Sequence, residues 1–456
     1  MQAYRNRVCR DQNTMKNISI ILIFLVAVPV VNSRTDPVNE RIWKIVEEIT
    51  AGHREIYIDL HQNPELSFME FETAGKMAGN LESMGFEVTG SVGGNGVVGV
   101  FHNGPGKIIM LRTDTDALPV KETTGLPYAS QVVSRDASGT EVPVMHACGH
   151  DMHMTMWLGT LKTLVAMKDQ WQGTILAIAQ PAEEVLAGAR AMINDGLFKR
   201  FPVPDYALAY HVNSHVPAGT IVYSPGTSHA GTRAAEIKVF GSGGHGAMPH
   251  NTIDPVVLAS RIILDLQTIV SRETDPVKPA VITVGSVKGG TKHNIIPDEV
   301  ELLLTIRFFE DEIYEQIREA IIRISRGVAL SAGLEEDRMP LITFTSQYTP
   351  PVDNDTDLVM KAVDSMGKIL GQDKIIRRPP TTAAEDFGLF GRTGENIPLA
   401  FISIGSANHE LYHDHVHHGA FLPPVHHSGY TPDFYPTFSN GVAAMSRAVL
   451  DLFGNR

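Results

Sequence analysis

One eleven-residue stretch, VMHACGHDMHM from Val144 to Met154, holds three histidines, one aspartate and one cysteine. Cysteine, histidine and carboxylate side chains are the ligands expected of zinc and neighbouring divalent ions. The chain has only one other cysteine, Cys9, close to its N-terminus. A buried thiol that only packs is the alternative interpretation of Cys148. The two histidines within two residues of it favour a metal-bound thiolate.

Three apolar segments of strand length end in acids or histidine. IIMLRTDTDALP supplies Asp114 and Asp116, TILAIAQPAEEV supplies Glu183 and Glu184, and YALAYHVN supplies His211. In an open α/β sheet, ligands bind outside the carboxyl ends of the strands. Neighbouring side chains on an extended segment point to opposite sides, so one glutamate of the pair can bind metal while the other faces a reacting water. The pattern therefore predicts a divalent-metal site rather than a solvated acidic surface.

The elements that must position these residues alternate between strand and helix. This alternation predicts an α/β catalytic domain with a mainly parallel central sheet and flanking helices. Between residues 229 and 350 the order becomes β-α-β-β-α-β, the split ferredoxin-like arrangement of an inserted α+β domain. The predicted catalytic segments are therefore 34–228 and 351–456. The predicted helices are 45–60, 71–84, 152–167, 254–270, 312–331, 356–370 and 439–452, and the strands are 97–101, 108–111, 174–179, 206–209, 234–240, 280–287, 300–308, 341–346 and 399–404.

The N-terminus resembles an export signal. Basic residues precede an apolar run from Ile18 to Val31, which is shorter than the roughly 20 residues that span a bilayer. A plausible cleavage site precedes Arg34, so we predict that residues 1–33 are a signal peptide, with Met1 or Met15 as the start. Cleavage is favoured over an uncleaved anchor. It would leave no stable membrane span, would remove Cys9, and would send the protein to the periplasm, the medium or a secretory organelle.

The composition is that of a globular protein with small-molecule partners. Of its 456 residues, 43% are hydrophobic and 20% are charged, which allows two or three domains with cores of their own. The net charge is -13, from 51 acidic and 38 basic residues. No basic patch with interleaved aromatic residues occurs, so the sequence argues against a nucleic-acid partner.

Seven motifs follow one another along the chain: HQNPELSFMEFETA (61–74), RTDTDALP (112–119), HACGHDMH (146–153), QPAEE (180–184), GGHGAMPH (243–250), HNIIPDE (293–299) and AEDF (384–387). Together they resemble the metal-dependent N-acyl-amino-acid amidohydrolases. This is the branch of the aminoacylase and carboxypeptidase superfamily that includes hippurate hydrolases, indoleacetyl-amino-acid hydrolases and some bacterial carboxypeptidases. The resemblance covers nearly all of the chain after the signal, in order.

The resemblance implies two divalent metal ions in each subunit, Zn or Mn, with Co or Ni possible. Its metal ligands would be Cys148, which can bridge the two ions, together with His150, Glu184 and His211. The last ligand would be a histidine near the C-terminus, for which His427 is the first choice.

The sequence departs from the family pattern around that last ligand. Gly429 follows His427 and Ser428 where proline is common, and His426 is the second choice. The surrounding stretch has seven histidines, at positions 409, 413, 415, 417, 418, 426 and 427. Most of them are expected in a solvated loop that binds metal loosely.

The resemblance also assigns roles beyond metal binding. Glu183 would be the general base and acid, and His245 of the inserted domain would stabilise the oxyanion. Asn294, helped by Arg307, would contact the carboxylate of the substrate. The remaining expectations concern supporting residues: Asp114, Asp116 and Asp151 orient the ligating side chains, His146 and His153 pack or hydrogen-bond, and Glu65 and Glu385 make structural hydrogen bonds.

These inferences predict an exported metallo-amidohydrolase that cleaves N-acyl amino acids. A carboxypeptidase or dipeptidase is the alternative within enzymes, because it would break the same kind of bond at the same site. A non-catalytic metal-binding scaffold would have no need for Glu183, and a histidine-rich metal-storage protein would leave the acids at the strand ends unexplained. The inserted domain is expected to act as a lid and as the surface of a homodimer.

Overall fold

The structure is a computed structural model that describes residues 36–454, so the predicted signal segment, with Met1, Cys9 and Met15, lies outside the described residues. The strands are β1 (Glu87–Val92), β2 (Gly96–Asn103), β3 (Ile108–Asp114), β4 (Val133–Arg135), β5 (Glu141–Pro143), β6 (Gly173–Gln180), β7 (Tyr206–Pro217), β8 (Ile221–Tyr223), β9 (Gly226–His229), β10 (Gly231–Phe240), β11 (Gly244–His245), β12 (Ala280–Gly289), β13 (Ile295–Ile296), β14 (Glu299–Phe308), β15 (Leu341–Thr349), β16 (Val352–Asn354), β17 (Ile375–Arg377) and β18 (Leu399–Ala407). The helices are α1 (Pro37–Gln62), α2 (Phe71–Ser83), α3 (His150–Ala166), α4 (Gly188–Asn194), α5 (Leu197–Arg200), α6 (Pro255–Thr268), α7 (Asp311–Ser331), α8 (Thr356–Leu370), α9 (His409–His418) and α10 (Phe434–Phe453).

The central sheet has eight strands in the order β1-β2-β6-β3-β7-β18-β8-β17. The pairs β6–β3, β3–β7 and β7–β18 in its middle are parallel, whereas β1–β2, β2–β6 and β18–β8 are antiparallel. All residues of β6 are buried, as expected of a strand covered on both faces. The predicted mainly parallel central sheet is confirmed.

Helices cover both faces of this sheet. On one face α1, α2, α3, α8 and α10 share a core that includes Leu161 of α3 and Phe438 of α10. On the other face a second core joins Met192 of α4 to Phe387 and Phe390 of the short 3-10 helix Asp386–Arg392. Both cores lie against the strands whose carboxyl ends carry the candidate site, so they hold that edge rigidly.

The inserted segment forms a second sheet with the order β12-β14-β10-β15, in which every pairing is antiparallel. Helix α6 joins β10 to β12, and α7 joins β14 to β15, which is the predicted ferredoxin-like order. Alternate residues of β14 face these helices. Together with Ile262 of α6 and Ile317 of α7 they form a hydrophobic core that belongs to the inserted segment alone. We call this unit the lid. Strands β9 and β16, at its two junctions with the rest of the chain, pair with each other.

Two elements near the candidate site differ from the sequence prediction. Strand β7 continues to Pro217, because β18 pairs with it well beyond the last residue that β3 reaches, so His211 lies inside the strand and not after its end. The histidine-rich stretch predicted as a loop contains helix α9. The side chain of Asn408 accepts from the first backbone N–H groups of α9, and Gly419, at a φ of 68°, ends it. Within residues 36–454, no helix is long and apolar enough to cross a membrane.

Candidate metal centre

The candidate site lies where the parallel strands β3 and β6 end. Asp114 is the last residue of β3, and Glu183 and Glu184 follow β6. Helix α3 begins there as well, after Gly149. This glycine has a φ of 78°, and a Cβ atom would lie 2.8 Å from Val212, so only glycine lets the chain turn here. The turn brings the segment before α3 against β7.

Cys148 is the centre of this cluster. Its buried Sγ atom lies 3.5 Å from Nε2 of His211 and 3.2 Å from Nε2 of His426. Two groups of three ligand atoms, each within 4.8 Å of one another, share this sulfur: Cys148, His150 and His211, and Cys148, Glu184 and His426. Ligands at zinc–nitrogen and zinc–sulfur bond lengths on a tetrahedral ion lie roughly 3.5 Å apart. The separations therefore fit metal coordination by either group of residues.

His426, and not His427, completes the cluster, which corrects the first choice made from the sequence. The backbone of His426 has a φ of 68°, and its N–H donates to the carbonyl of Ala147. This left-handed turn directs its ring to Cys148. The ring of His427 instead packs against Phe421, and its Nδ1 accepts from the N–H of Gly429. Two adjacent histidines look equivalent in sequence, and the backbone dihedral separates them.

The chemistry of the donors fits divalent cations. Nε2 of the fully buried His150 lies 3.7 Å from Oε1 of Glu184 and 3.8 Å from Oε2 of Glu183. Among the described residues, neither His150 Nε2 nor Glu184 Oε1 has a hydrogen-bond partner. Burial and neighbouring carboxylates raise the pKa of Cys148 well above its usual value and that of Glu184 to about 7. Positive charge at this point would relieve the repulsion, and a metal ion would also bind the unpaired atoms.

The two adjacent glutamates have different surroundings. Glu184 also lies 3.5 Å from Nε2 of His426, which joins it to that ligand group. Glu183 is buried beside His150, and burial together with Glu385 raises the pKa of Glu183 well above its usual value. A carboxyl group with a raised pKa can both take up and release a proton.

Asp116 orders the loop that carries both glutamates. Its carboxylate accepts from the backbone N–H groups of Glu183, at 3.1 Å, and Glu184, at 3.0 Å, and from the hydroxyl of Ser67. Its Oδ1 atom lies 3.4 Å from Nδ1 of His150. Asp116 therefore contacts one imidazole of the kind that it was expected to orient, that of His150, and also the backbone of both glutamates.

Asp114 fixes the orientation of the His153 ring, and these two residues form a further group of candidate ligand atoms with His150, within 4.8 Å of one another. Nδ1 of His153 lies 2.7 Å from Oδ1 of Asp114, and Nε2 accepts from the N–H of Val212 at 2.8 Å. Burial lowers the pKa of His153 to about 4, so the ring is neutral and both of its nitrogens are engaged. His146 is also buried, and among the described residues neither of its ring nitrogens has a hydrogen-bond partner.

Asp151 lies in a buried triad that sequence reasoning missed. His61 of α1 places Nδ1 2.7 Å from Asp151 and Nε2 3.1 Å from Glu122. Burial opposes a charge on His61, but the two carboxylates outweigh it and raise its pKa to about 10. The three residues belong to separate segments, and His61 was noted only as the first residue of a motif. No local pattern pairs it with Asp151.

Buried Arg112 organises a second network that was not expected. Its guanidinium donates to Asp114 at 2.7 Å, Glu385 at 2.9 Å and Asp386 at 3.3 Å. Glu385 also accepts from the N–H of Phe387, and this is the structural hydrogen bonding expected of it. Glu65 likewise accepts from two backbone N–H groups of α2. The network fixes β3 against the loop that follows β17.

The lid residues named from the sequence lie in the lid sheet and at the small two-stranded sheet β11–β13, outside the metal cluster. His245 is exposed, pairs with Ile295, and accepts from the N–H of Ala247 through Nδ1. The carbonyl of Asn294 accepts from Gly246, so Asn294 lies close to His245. Arg307 is half-buried on β14, and among the described residues its Nη1 atom has no partner. The pairing of β11 with β13 therefore brings His245 and Asn294 together, and Arg307 lies apart from them on the lid sheet.

A cavity of about 610 Å³ opens beside the cluster. Its wall includes His211, so it borders one ligand group directly. Phe401 and Pro380 supply apolar surface, and Arg378 supplies a cation. The volume is in the range of sites that bury a small ligand.

Comparisons with known proteins agree with a metal-dependent hydrolase. The model of peptidase family M20/M25/M40 matches residues 110–423. The IAA-amino acid hydrolase ILR1-like 2 of Arabidopsis thaliana is 33% identical, over 84% of this chain and 85% of the relative. Thermostable carboxypeptidase 2 of Saccharolobus solfataricus is 35% identical, over 82% and 92%. The solved structure of the Bacillus subtilis YXEP protein, described as a dinuclear metal binding peptidase, is 29% identical with a TM-score of 0.72, over 89% of this chain and 99% of that one.

Proposed function

This chain belongs to peptidase family M20/M25/M40 and is a metal-dependent amide hydrolase, and from that premise we propose that it releases amino acids from N-acyl amino acids. The reaction is the addition of water to the amide, which yields a carboxylate and a free amino acid. One observation carries the proposal: two groups of candidate ligands share the sulfur of Cys148, and Glu183 lies beside them. A metal-storing scaffold has no use for that additional buried acid.

Two divalent ions would be held by the residues that surround Cys148. His150 and His211 would complete one ligand group with it, and Glu184 and His426 the other. A thiolate favours zinc among the ions with this chemistry, with manganese, cobalt and nickel as alternatives. When bound, the ions supply Lewis acidity toward the scissile carbonyl and lower the pKa of the attacking water.

Glu183 moves the proton. Its carboxylate accepts a proton from the attacking water and then donates it to the amide nitrogen, which is too basic to leave as an anion. Burial and the carboxylate neighbours of Glu183 favour its protonated form, and positive charge from bound ions would favour the carboxylate that accepts the proton. Asp116 holds the backbone of Glu183 while this happens.

The lid supplies the remaining contacts of the proposed reaction. His245 donates to the developing oxyanion, and Asn294, close to it, binds the carboxylate of the substrate, with Arg307, which lies apart from both on the lid sheet, as a helper that would reach the substrate from another side. The half-buried Arg307, with its unpaired Nη1 atom, supports this, because a carboxylate is the natural partner of a guanidinium. The lid must approach the catalytic domain for these contacts to form, and a homodimer through the lid is part of the proposal.

The main proposal and its alternative differ in the group attached to the amino acid that is released: an acyl group in the first, and another amino acid in the second. The apolar surface beside His211, from Phe401 and Pro380, suits an acyl group better than a charged peptide terminus. The similarity to a carboxypeptidase keeps short peptides as the second candidate, since the bond and the catalytic residues would be the same.

Export through the secretory route is also proposed, from the apolar segment Ile18 to Val31 and the cut before Arg34. Expression of the full chain in a secreting host, followed by N-terminal sequencing, tests it. A product in the medium that begins at residue 34 supports export, and a product that keeps residues 18–31 inside the cell contradicts it.

The test of function is a substrate panel on purified residues 34–456. Metal content is measured first, and then acetyl-, benzoyl- and indoleacetyl-amino acids are assayed beside dipeptides. Highest kcat/KM on an acyl-amino acid supports the main proposal, and highest kcat/KM on dipeptides favours the second candidate. A metal-loaded protein that cleaves none of them contradicts both.

A further inference from the structure

Helix α9 presents five histidines on the surface, at positions 409, 413, 415, 417 and 418. None of its ten residues is buried, and Leu411 and Val416 are more than half exposed. Packing therefore does not explain its composition. Histidine is also a mediocre helix former, so helix propensity does not explain it either.

Three side chains near the end of α9 converge. Oδ1 of Asp414 lies 3.7 Å from Nδ1 of His413 and 3.4 Å from Nδ1 of His418. The three ligand atoms lie within 4.8 Å of one another. Two imidazoles and one carboxylate are a donor set for zinc and its neighbours. The ring of His417 lies 4.4 Å from that of His413, so a fourth donor is in reach.

The position of the group on the helix favours a cation. His415, His417 and His418 occupy the last turn, where the aligned peptide dipoles place negative partial charge. The side chains of His413, Asp414 and His418 are 57–68% exposed, so an ion in solution reaches them directly. No residue of this group belongs to the ligand groups around Cys148.

We propose that His413, Asp414 and His418 form a separate site for a divalent transition-metal ion such as Zn²⁺. The site lies a few residues before the segment that carries His426. That segment is already tied to α9, because Nδ1 of His415 lies 2.9 Å from the carbonyl of Ala420, and the N–H of Ala420 reaches the carbonyl of Asp414. An ion bound at α9 stabilises this end of the helix and, with it, the start of the segment that leads to His426.

The experiment counts zinc ions on the full-length chain dialysed against a buffered series of free Zn²⁺. The double variant His413→Ala/His418→Ala is compared with the wild type by elemental analysis. We expect the variant to bind one ion fewer and to keep its other metal content. The readout is this difference, so it holds whatever number of ions the Cys148 cluster binds. Equal zinc content in the two proteins across the series overturns the proposal.

Two further measurements locate the site. His409→Ala is the matched control, since it removes a histidine from the first turn of the same helix, and it should bind as much zinc as the wild type. Loss of an ion in that control would overturn the assignment to His413, Asp414 and His418. Zinc should also slow backbone hydrogen exchange across residues 409–420 in the wild type and not in the double variant. Unchanged exchange in the wild type contradicts the site.

Discussion

Nε2 of His426 lies 3.2 Å from Sγ of Cys148, although 278 residues separate the two in the chain. Through this contact the C-terminal segment contributes a side chain to the cluster around Cys148. It also places Cys148 between ligand atoms of two groups. In the proposed two-metal centre Cys148 would belong to both ligand groups, and a single alanine substitution should therefore affect both.

The first prediction separates the two adjacent histidines. His426→Ala should lower metal content and reduce kcat/KM by roughly 100-fold or more, because loss of even an outer partner of a ligand costs 10- to 100-fold. His427→Ala is the matched control and should keep both properties, since its ring contacts Phe421 instead. The measurements are elemental analysis and kinetics on the preferred substrate. The reverse pattern would return His427 to the ligand set.

The second prediction separates the two adjacent glutamates. Glu183→Gln should retain metal and lose about 100- to 10,000-fold in kcat, the range supplied by general acid–base catalysis. Glu184→Gln should lose metal as well as activity, because its carboxylate reaches both His150 and His426. Metal content and kcat are measured on the same samples. Substantial turnover by Glu183→Gln would remove this residue from the role of base.

The third prediction concerns Cys148. Cys148→Ala should reduce metal content by more than His211→Ala does. The sulfur of Cys148 belongs to both of the ligand groups described above, whereas His211 belongs to one of them. Metal-to-protein ratios after dialysis against a fixed free-metal concentration give the comparison. An unchanged ratio in Cys148→Ala would make this thiol a packing residue only.

The fourth prediction concerns His61. Its folded pKa, raised to about 10 from 6.5, means that the imidazolium is retained at pH 8. ¹⁵N NMR of labelled histidine should show both ring nitrogens of His61 protonated at pH 8 and a titration near pH 10. Because the folded pKa is raised, the stabilisation from this triad is complete below pH 6.5 and is lost as the pH rises toward 10. A ring that is neutral at pH 8 would contradict the assignment.

The stability consequence has its own readout. The free energy of unfolding is measured with denaturant at pH 7 and at pH 9.5. It should fall by more between these two pH values in the wild type than in His61→Gln, because the variant has no titrating ring at this position. Equal losses would mean that His61 contributes nothing to the pH dependence.

Much of the fold could be predicted from the pattern of apolar residues. The lid is the clearest case, since each predicted helix and strand from 234 to 346 is present with ends shifted by a few residues. Short strands such as β8 and β17 were not predicted, because three residues carry no measurable periodicity. Helix α9 was missed because its residues lack an apolar face, and its ends are set by Asn408 and Gly419.

The sequence by itself determined the donor types and where they occur: a cysteine and histidine ahead of a helix, and acids after two strands. Metal binding requires these residue types, and the ends of strands can be predicted from where apolar runs stop. Only the tertiary structure decided which donors meet. The choice of His426 over His427 depends on a backbone dihedral, and the His61–Asp151 pair depends on a contact between distant segments, and no local pattern in a single sequence encodes either.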